Sequence, residues 1–437
     1  MVEPREIILR SPMGALQVVA VALCVGLCAL DGFDVLSISF ASPGIAADWR
    51  VDRAALGVIL SAELIGMALG SAVIGGIADS FGRRPTILGC LVLMTLGMYL
   101  ASIAGGITAL LVYRFATGLG IGGMLASINA MTAEYSNLKR RNLAVTIMAA
   151  GYPGGAIIGG TIASMLLVSY DWRSVFVFGA VATGAFIPLV WFLMPESIEF
   201  LQHKRPPHAL EHINRTLRRM GHETVPALPE RAGKPPKQSV LQLFSPGMAR
   251  TTILFTLVYF AHIVTFYFYI KWIPKLVVDM GQAPSSAGGV LVWANVGGIS
   301  GALVLGLLAQ RFGVRGLVIG AMVGATIMVT LFGQAGADLG RLSMVAALAG
   351  FFTNGAIVGL YAMFAQSFPT ELRAGGTGFV IGVGRGGAAL APMAAGFLFI
   401  AGATLPIVAA VMGSGSILAA GLLATLRYRE PSREIAG

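Results

Sequence analysis

Five ionisable side chains stand in stretches where almost everything else is apolar: Asp31, Asp34, Glu63, Arg114 and Arg385. An ionised group in hydrocarbon costs at least about 2.5–3.5 kcal/mol, so each one needs a reason to be there. Asp31 and Asp34 are three apart, which puts both on one face of a helix, and Gly32 between them leaves room for a neighbouring chain. Two carboxyls in so poorly solvated a place do not both ionise cheaply, because desolvation and like-charge repulsion act together. The pair is a candidate for proton uptake and release; the plainer alternative is two polar groups bonded to neighbouring helices or to vestibule water. Glu63 is either a further protonatable group or the internal hydrogen-bonding anchor of its helix. Arg114, at a similar depth to the aspartates, reads equally as a group that tunes their protonation and as their structural partner.

Arg385 calls for different chemistry. A guanidinium matches a carboxylate through two parallel hydrogen bonds. This one falls about nine residues into its apolar run, or roughly 14 Å at 1.5 Å per residue. It is a candidate to bind a substrate carboxylate, or else it is held in a permanent salt bridge to an internal acid such as Asp34 or Glu63. Both readings hold together if an incoming anion competes for the arginine while the acid takes a proton. Tyr259, His262, Phe266, Tyr267, Phe268 and Tyr269 crowd one run, with Asn129 and Tyr152 in earlier ones. They offer a flat ligand stacking faces with hydroxyl and amide partners, although such clusters also serve ordinary packing or face lipid. His262, Tyr152 and Asn129 are the individual candidates.

The elements that must position these residues are membrane spans. Hydrophobic residues make up 56% of the 437 and charged ones only 11%, far below the quarter usual in soluble domains. Crossing hydrocarbon takes roughly 20 mostly apolar residues. Twelve such runs occur: 14–40, 54–78, 86–104, 107–133, 143–168, 174–194, 251–274, 285–309, 316–334, 341–366, 376–400 and 405–425. The first is too long for a signal peptide and is read as a span. With both termini in the cytoplasm, the inner segments hold Arg5, Arg10, Arg83, Arg84, Lys139, Arg140, Arg141, Arg311, Arg315, Arg373, Arg427, Arg429 and Arg433. That excess over the outer segments sets the orientation and accounts for the net charge of +10 without any nucleic acid.

The one long polar interval, 195–250, separates an N-terminal six-helix half (1–194) from a C-terminal one (251–437). Within it Leu210, Ile213, Leu217 and Met220 recur at helical spacing beside Arg215, Arg218 and Arg219, as in a short amphipathic helix lying on the inner membrane surface. The halves echo each other. Gly75-x-x-x-Asp79-x-x-Gly82-Arg83-Arg84 follows the second span, and Gly306-x-x-x-Gln310-x-x-Gly313-Val314-Arg315 follows the eighth at the same internal spacing. Duplicated halves around a midplane site are the architecture of an alternating-access carrier. Asp79, Gly82, Arg83 and Arg84, with Glu134, Arg140 and Arg141, sit at inner helix ends and are candidates for a cytoplasmic gate of salt bridges. Topology alone would be served by arginine anywhere.

No cofactor is expected. The glycines of 151–160 lack a Gly-Lys-Ser/Thr ending, so ATP is not expected to drive transport. No metal-ligand spacing stands out, and the three cysteines, Cys24, Cys28 and Cys90, read as small packing residues rather than ligands or disulfides.

The loop Gly75-Gly76-Ile77-Ala78-Asp79-Ser80-Phe81-Gly82-Arg83-Arg84 resembles the signature of the major facilitator superfamily, and Arg114-x-x-x-Gly118-x-Gly120-x-x-Gly123 is similar to its fourth-helix motif. Pro195-Glu196-Ser197 is similar to a motif of sugar porters. Asp31-Gly32-Phe33-Asp34, Trp272-Ile273-Pro274 closing the seventh span, and Gly384-Arg385-Gly386-Gly387-Ala388 through Pro392 resemble the aromatic acid:proton symporters of that superfamily. Gln310 departs from the aspartate often found in the second copy of the loop motif, which implies a C-terminal gate less reliant on charge. The resemblance implies an all-α membrane protein of two pseudo-symmetric six-helix bundles, acting as a monomer in the inner membrane. It implies proton-coupled import of a small aromatic carboxylate. A sugar or polyol porter is the nearer alternative, and a polytopic receptor or enzyme, for which no catalytic constellation speaks, is the more distant one.

Overall fold

A computed structural model describes residues 3–228, 240–309, 311–369 and 372–426. Gln310, Arg427, Arg429 and Arg433 lie outside the described residues. The described chain is all helix, without strands. The helices run in order α1 (Pro4–Arg10), α2 (Ala15–Asp48), α3 (Arg53–Phe81), α4 (Arg83–Ser102), α5 (Ile107–Glu134), α6 (Arg141–Ser169), α7 (Arg173–Leu193), α8 (Ile198–Lys204), α9 (Ala209–Met220), α10 (Ala249–Asp279), α11 (Pro284–Leu308), α12 (Val314–Phe332), α13 (Leu339–Ser367), α14 (Arg373–Ile400) and α15 (Leu405–Thr425). Twelve of them, α2–α7 and α10–α15, are long and apolar enough to cross a membrane. These are the twelve runs expected from hydropathy.

Two helices outrun their apolar stretches. Helix α2 continues past Phe40, through Pro43, to Asp48, and α10 continues through Pro274 to Asp279. Trp272-Ile273-Pro274 therefore does not close the seventh span. The reason is packing: Phe40, Ala41, Ile45, Leu276 and Val277 are all buried, so protein contacts sustain these turns beyond the hydrophobic run.

The chain forms two compact units. One gathers Met1–Ser37, Ala62–Gly159 and Tyr170–Pro235; the other gathers Ile38–Ser61, Gly160–Ser169 and Pro236–Gly437. Inside the first, α3 and α5 touch backbone to backbone. A Cβ at Gly66 would fall 2.2 Å from the Phe115 carbonyl oxygen, and one at Gly118 2.1 Å from that of Glu63. Inside the second, α11 and α13 repeat the device, with Gly297 against the Ala347 carbonyl at 1.8 Å and Gly350 against that of Ala294 at 1.9 Å. Helices in lipid gain little from apolar burial against each other, so small residues that permit close approach hold both seams.

Helix α9 forms as its periodicity predicts and ends at Gly221, whose φ of 79° lets the N–H groups of Gly221 and His222 return to the carbonyls of Arg218 and Leu217. Its apolar face does not lie on the membrane surface, however. Ile213 and Leu217 are fully buried by protein. The Met220 carbonyl packs on Gly14, leaving only 2.2 Å for a Cβ there, and His222 Nε2 pairs with Gln17 Oε1 at 3.0 Å. Arg215, Arg218 and Arg219 stay exposed.

Candidate functional site

The first unit holds a buried ionisable cluster. Arg114 on α5 and Glu63 on α3 face each other across the glycine seam at 2.5 Å, both fully buried. The same guanidinium donates to the backbone carbonyl of Asp34 at 2.8 Å and lies against Met98 Sδ at 2.7 Å, with the Phe176 ring 5.3 Å from its centre. Arg114 is thus the ion-pair partner of Glu63. Its hydrogen bond to Asp34 goes to the main chain.

Asp34 is fully buried. Its Oδ2 accepts from the Thr183 hydroxyl on α7 at 3.3 Å, while Oδ1 has no hydrogen-bond partner among the described residues. Asp31 is buried one turn away, at 1% exposure. The glycine between them is required by contact: a Cβ at Gly32 would sit 1.8 Å from the Tyr152 carbonyl oxygen, so α6 crosses α2 against the Asp-Gly-Phe-Asp turn. Tyr152 is half-buried at this crossing, and Asn129 is exposed, its amide donating to Leu125 of its own helix at 3.0 Å.

The second unit places Arg385 near the middle of α14, half-buried and without an ion pair among the described residues. Gly384 and Gly387 seat α14 directly on α10, a Cβ on Gly384 meeting the Tyr259 ring at 2.1 Å and one on Gly387 the Phe260 carbonyl at 2.7 Å. The guanidinium is thereby brought within electrostatic reach of Tyr259. The Tyr259 hydroxyl pairs with that of Tyr361 on α13 at 2.9 Å, and Phe364 stands edge-on to Tyr259 at 5.8 Å. Tyr361 escapes a reading of the sequence, since nothing in one dimension singles out a lone tyrosine in the tenth span. His262, in contrast, is fully buried inside this unit. One ring nitrogen meets Ser416 Oγ and the other the Thr353 carbonyl, each at 2.9 Å, so neither is left for a ligand.

The gate candidates divide. Arg83 Nη1 pairs with Glu134 at 2.8 Å, and the Ser197 hydroxyl donates to the same carboxylate at 2.5 Å. Glu196 Oε1 accepts from the N–H groups of Arg83 (2.9 Å), Arg84 (3.2 Å) and Ser197 (2.7 Å). It caps the open start of α4 from across the chain. Gly82 makes room for it: its φ is 107°, and a Cβ there would come within 2.4 Å of Glu196 Oε2. Arg84 donates to the Trp191 carbonyl. Asp79, Arg140 and Arg141 join no ion pair among the described residues. A further cluster ties the second unit together at the opposite helix ends: Arg53 pairs with Asp279 at 3.0 Å, Asp279 also binds Lys275, and Arg53 lies over the Phe399 ring.

No group of three or more His, Cys, Asp or Glu among the described residues is arranged to hold a metal. Two comparisons bear on the family and a third on the fold. Residues 22–277 match the family model described as Major Facilitator Superfamily. The chain is 30% identical over 423 residues to a gallate transporter of Pseudomonas putida, covering 96% of this chain and 94% of that one. It is 31% identical over 396 residues to a 4-hydroxybenzoate transporter of Acinetobacter baylyi, covering 88% and 86%. The crystal structure of a D-xylose–proton symporter superposes with a TM-score of 0.70 at 19% identity, covering 94% of this chain and 97% of that one. A family model that matches more than half of the chain, and relatives matched over most of their length, lead to one conclusion: the chain belongs to the Major Facilitator Superfamily of membrane transporters.

Proposed function

We propose that this protein imports a small aromatic carboxylate, of the benzoate or hydroxybenzoate kind, together with protons by alternating access. The observation that carries the reading is Arg385: a half-buried guanidinium at the middle of an apolar helix, without an acid paired to it among the described residues and within electrostatic reach of Tyr259, which in turn meets Tyr361 and Phe364. Such a charge in the membrane calls for a counter-ion, and a carboxylate on a flat ring supplies both the bidentate anion and the stacking face. Relatives that match most of the chain are transporters of gallate, 4-hydroxybenzoate and benzoate. Asp34 is the proton carrier in this scheme, as a fully buried carboxyl one helical turn from a second one, Asp31. The Arg114–Glu63 pair supports that segment of α2 through the Asp34 carbonyl. His262 is a packing residue rather than a ligand contact, and Tyr361 takes its place among the substrate residues with Tyr152 and Asn129.

One proton with one monoanion is electroneutral, so the pH difference alone drives it. A second proton would add about 2.3 kcal/mol per 100 mV of potential. The protein works as a monomer in the inner membrane with both termini in the cytoplasm, the side that the arginine-rich ends favour. A sugar or polyol cargo finds less support: Pro195-Glu196-Ser197, the motif that suggests it, is occupied in capping α4 and says nothing of cargo.

The test is uptake of labelled 4-hydroxybenzoate into proteoliposomes with an alkaline interior. Unlabelled benzoate should compete and xylose should not. Arg385→Ala should abolish uptake, and Arg385→Lys should restore only a small part, because an ammonium cannot reproduce the planar fork. Full accumulation by Arg385→Ala, or competition by xylose alone, would overturn the assignment.

A further inference from the structure

A cavity of about 370 Å³ opens in the first unit between the end of α7, the start of α4 and helix α9, and the transport scheme makes no use of it. Its lining carries Arg84, Arg215 and Arg219 against a single acid, Glu196, with Phe192 and Phe200 among its apolar residues. The charges do not cancel. Glu196 is already engaged by three backbone N–H groups. Arg219 forms no ion pair among the described residues, and Arg84 keeps a buried Nε without a hydrogen-bond partner there. Arg215 is held only by an exposed contact of 3.3 Å to Glu211 on its own helix.

Its position adds a second constraint. The last turn of α7 turns outward an apolar and aromatic surface, Trp191 at 57% and Phe192 at 72% exposure, and the Arg84 guanidinium lies 5.7 Å over the Trp191 ring. Tryptophan at a helix end marks the level where acyl chains give way to headgroups. A basic pocket with aromatic walls at that level, on the arginine-rich side of a membrane protein, matches a phosphodiester whose tails run back along the helix. At about 30 Å³ per water the cavity has room for a hydrated glycerophosphate group.

We infer that this cavity binds the phosphate headgroup of an anionic phospholipid, with Arg84, Arg215 and Arg219 as its ligands and the outer face of α7 as the bed for its acyl chains. Because the same pocket rests on Glu196 and the start of α4, an occupied site stabilises the clasp between the sixth and third spans.

The test uses the full chain purified in a neutral detergent, titrated with phosphatidylglycerol, with phosphatidylcholine or with sodium phosphate at matched ionic strength, and followed by thermal unfolding and native mass spectrometry. Phosphatidylglycerol should bind and raise the unfolding temperature; phosphatidylcholine and free phosphate should not. Each basic residue near an anionic headgroup contributes a factor of about five in affinity. Arg219→Gln, which alters an exposed side chain, should therefore weaken phosphatidylglycerol about fivefold, and Arg215→Gln/Arg219→Gln about 25-fold. Arg10→Gln/Lys139→Gln, which removes as much charge from exposed positions outside the cavity, should leave the affinity unchanged. Equal loss in both double variants would reduce the effect to general surface charge and overturn the site. An equal response to free phosphate would overturn the lipid assignment.

Discussion

The Arg114 guanidinium stands 2.5 Å from the Glu63 carboxylate with neither side chain open to solvent. Breaking a buried pair by removing one partner costs about 3–5 kcal/mol, because the survivor is left charged and unpaired, whereas removing both can be nearly neutral. Glu63→Leu and Arg114→Met should each lower the unfolding temperature sharply, and the double variant should recover much of the loss. Strictly additive losses in that cycle would show that the two do not act as a unit.

Asp34 should separate binding from energy coupling. Asp34→Asn keeps an acceptor for Thr183 and removes the titratable carboxyl. The variant should retain exchange of labelled for unlabelled substrate across proteoliposomes at equal pH, yet lose at least tenfold in accumulation driven by a pH gradient. Gradient-driven accumulation at the wild-type level would remove Asp34 from the coupling path.

Burial pushes the Glu196 carboxyl above the ordinary glutamate range, and the N–H groups of Ser197, Arg84 and Arg83 pull it back only in part. The folded state then holds the proton more tightly than the unfolded one. The resulting stabilisation is complete below about pH 4.3 and is lost as pH rises through the folded value. Glu196→Gln keeps an oxygen for the cap but does not titrate, so unfolding midpoints between pH 4 and 7 should decline less steeply than in the wild type. Glu196→Ala should lose the same pH dependence and lie about 1 kcal/mol below Glu196→Gln, as an uncapped helix start does.

Gly32→Ala should disable the protein without touching a charge. The added methyl would lie 1.8 Å from the Tyr152 carbonyl oxygen, and backbone cannot step aside as a side chain can. Overpacking of this kind costs about 1–3 kcal/mol. We expect reduced stability in detergent and impaired transport, with Gly76→Ala, where nothing lies within 4 Å, as the silent control.

The architecture is legible because a membrane makes one demand that a sequence meets openly: enough apolar residues in a row. What one dimension conveys of the interior is depth along each span, not lateral neighbours. Arg114 sits at the level of Asp34, which makes the aspartates look like its partners. Only the seam between α3 and α5 reveals Glu63 facing it. His262 looks available because Ser416 and Thr353, which satisfy it, lie 154 and 91 residues away in the chain. The apolar stripe of α9 is a true stripe, but the sequence carries no mark distinguishing a face meant for lipid from one meant for protein. Helix α2 outruns its hydropathy for a related reason: its last turns are sheltered by other segments rather than by hydrocarbon.

The capping of α4 by Glu196 also decides how the molecule would come apart under load. A force applied at the chain segment after α7 would be borne by the start of α4, 113 residues upstream, before α7 itself could slide out. Pulled from there in a single-molecule extraction, the sixth and third spans should leave the bilayer in one concerted rupture, and Glu196→Ala should split that event into two weaker ones.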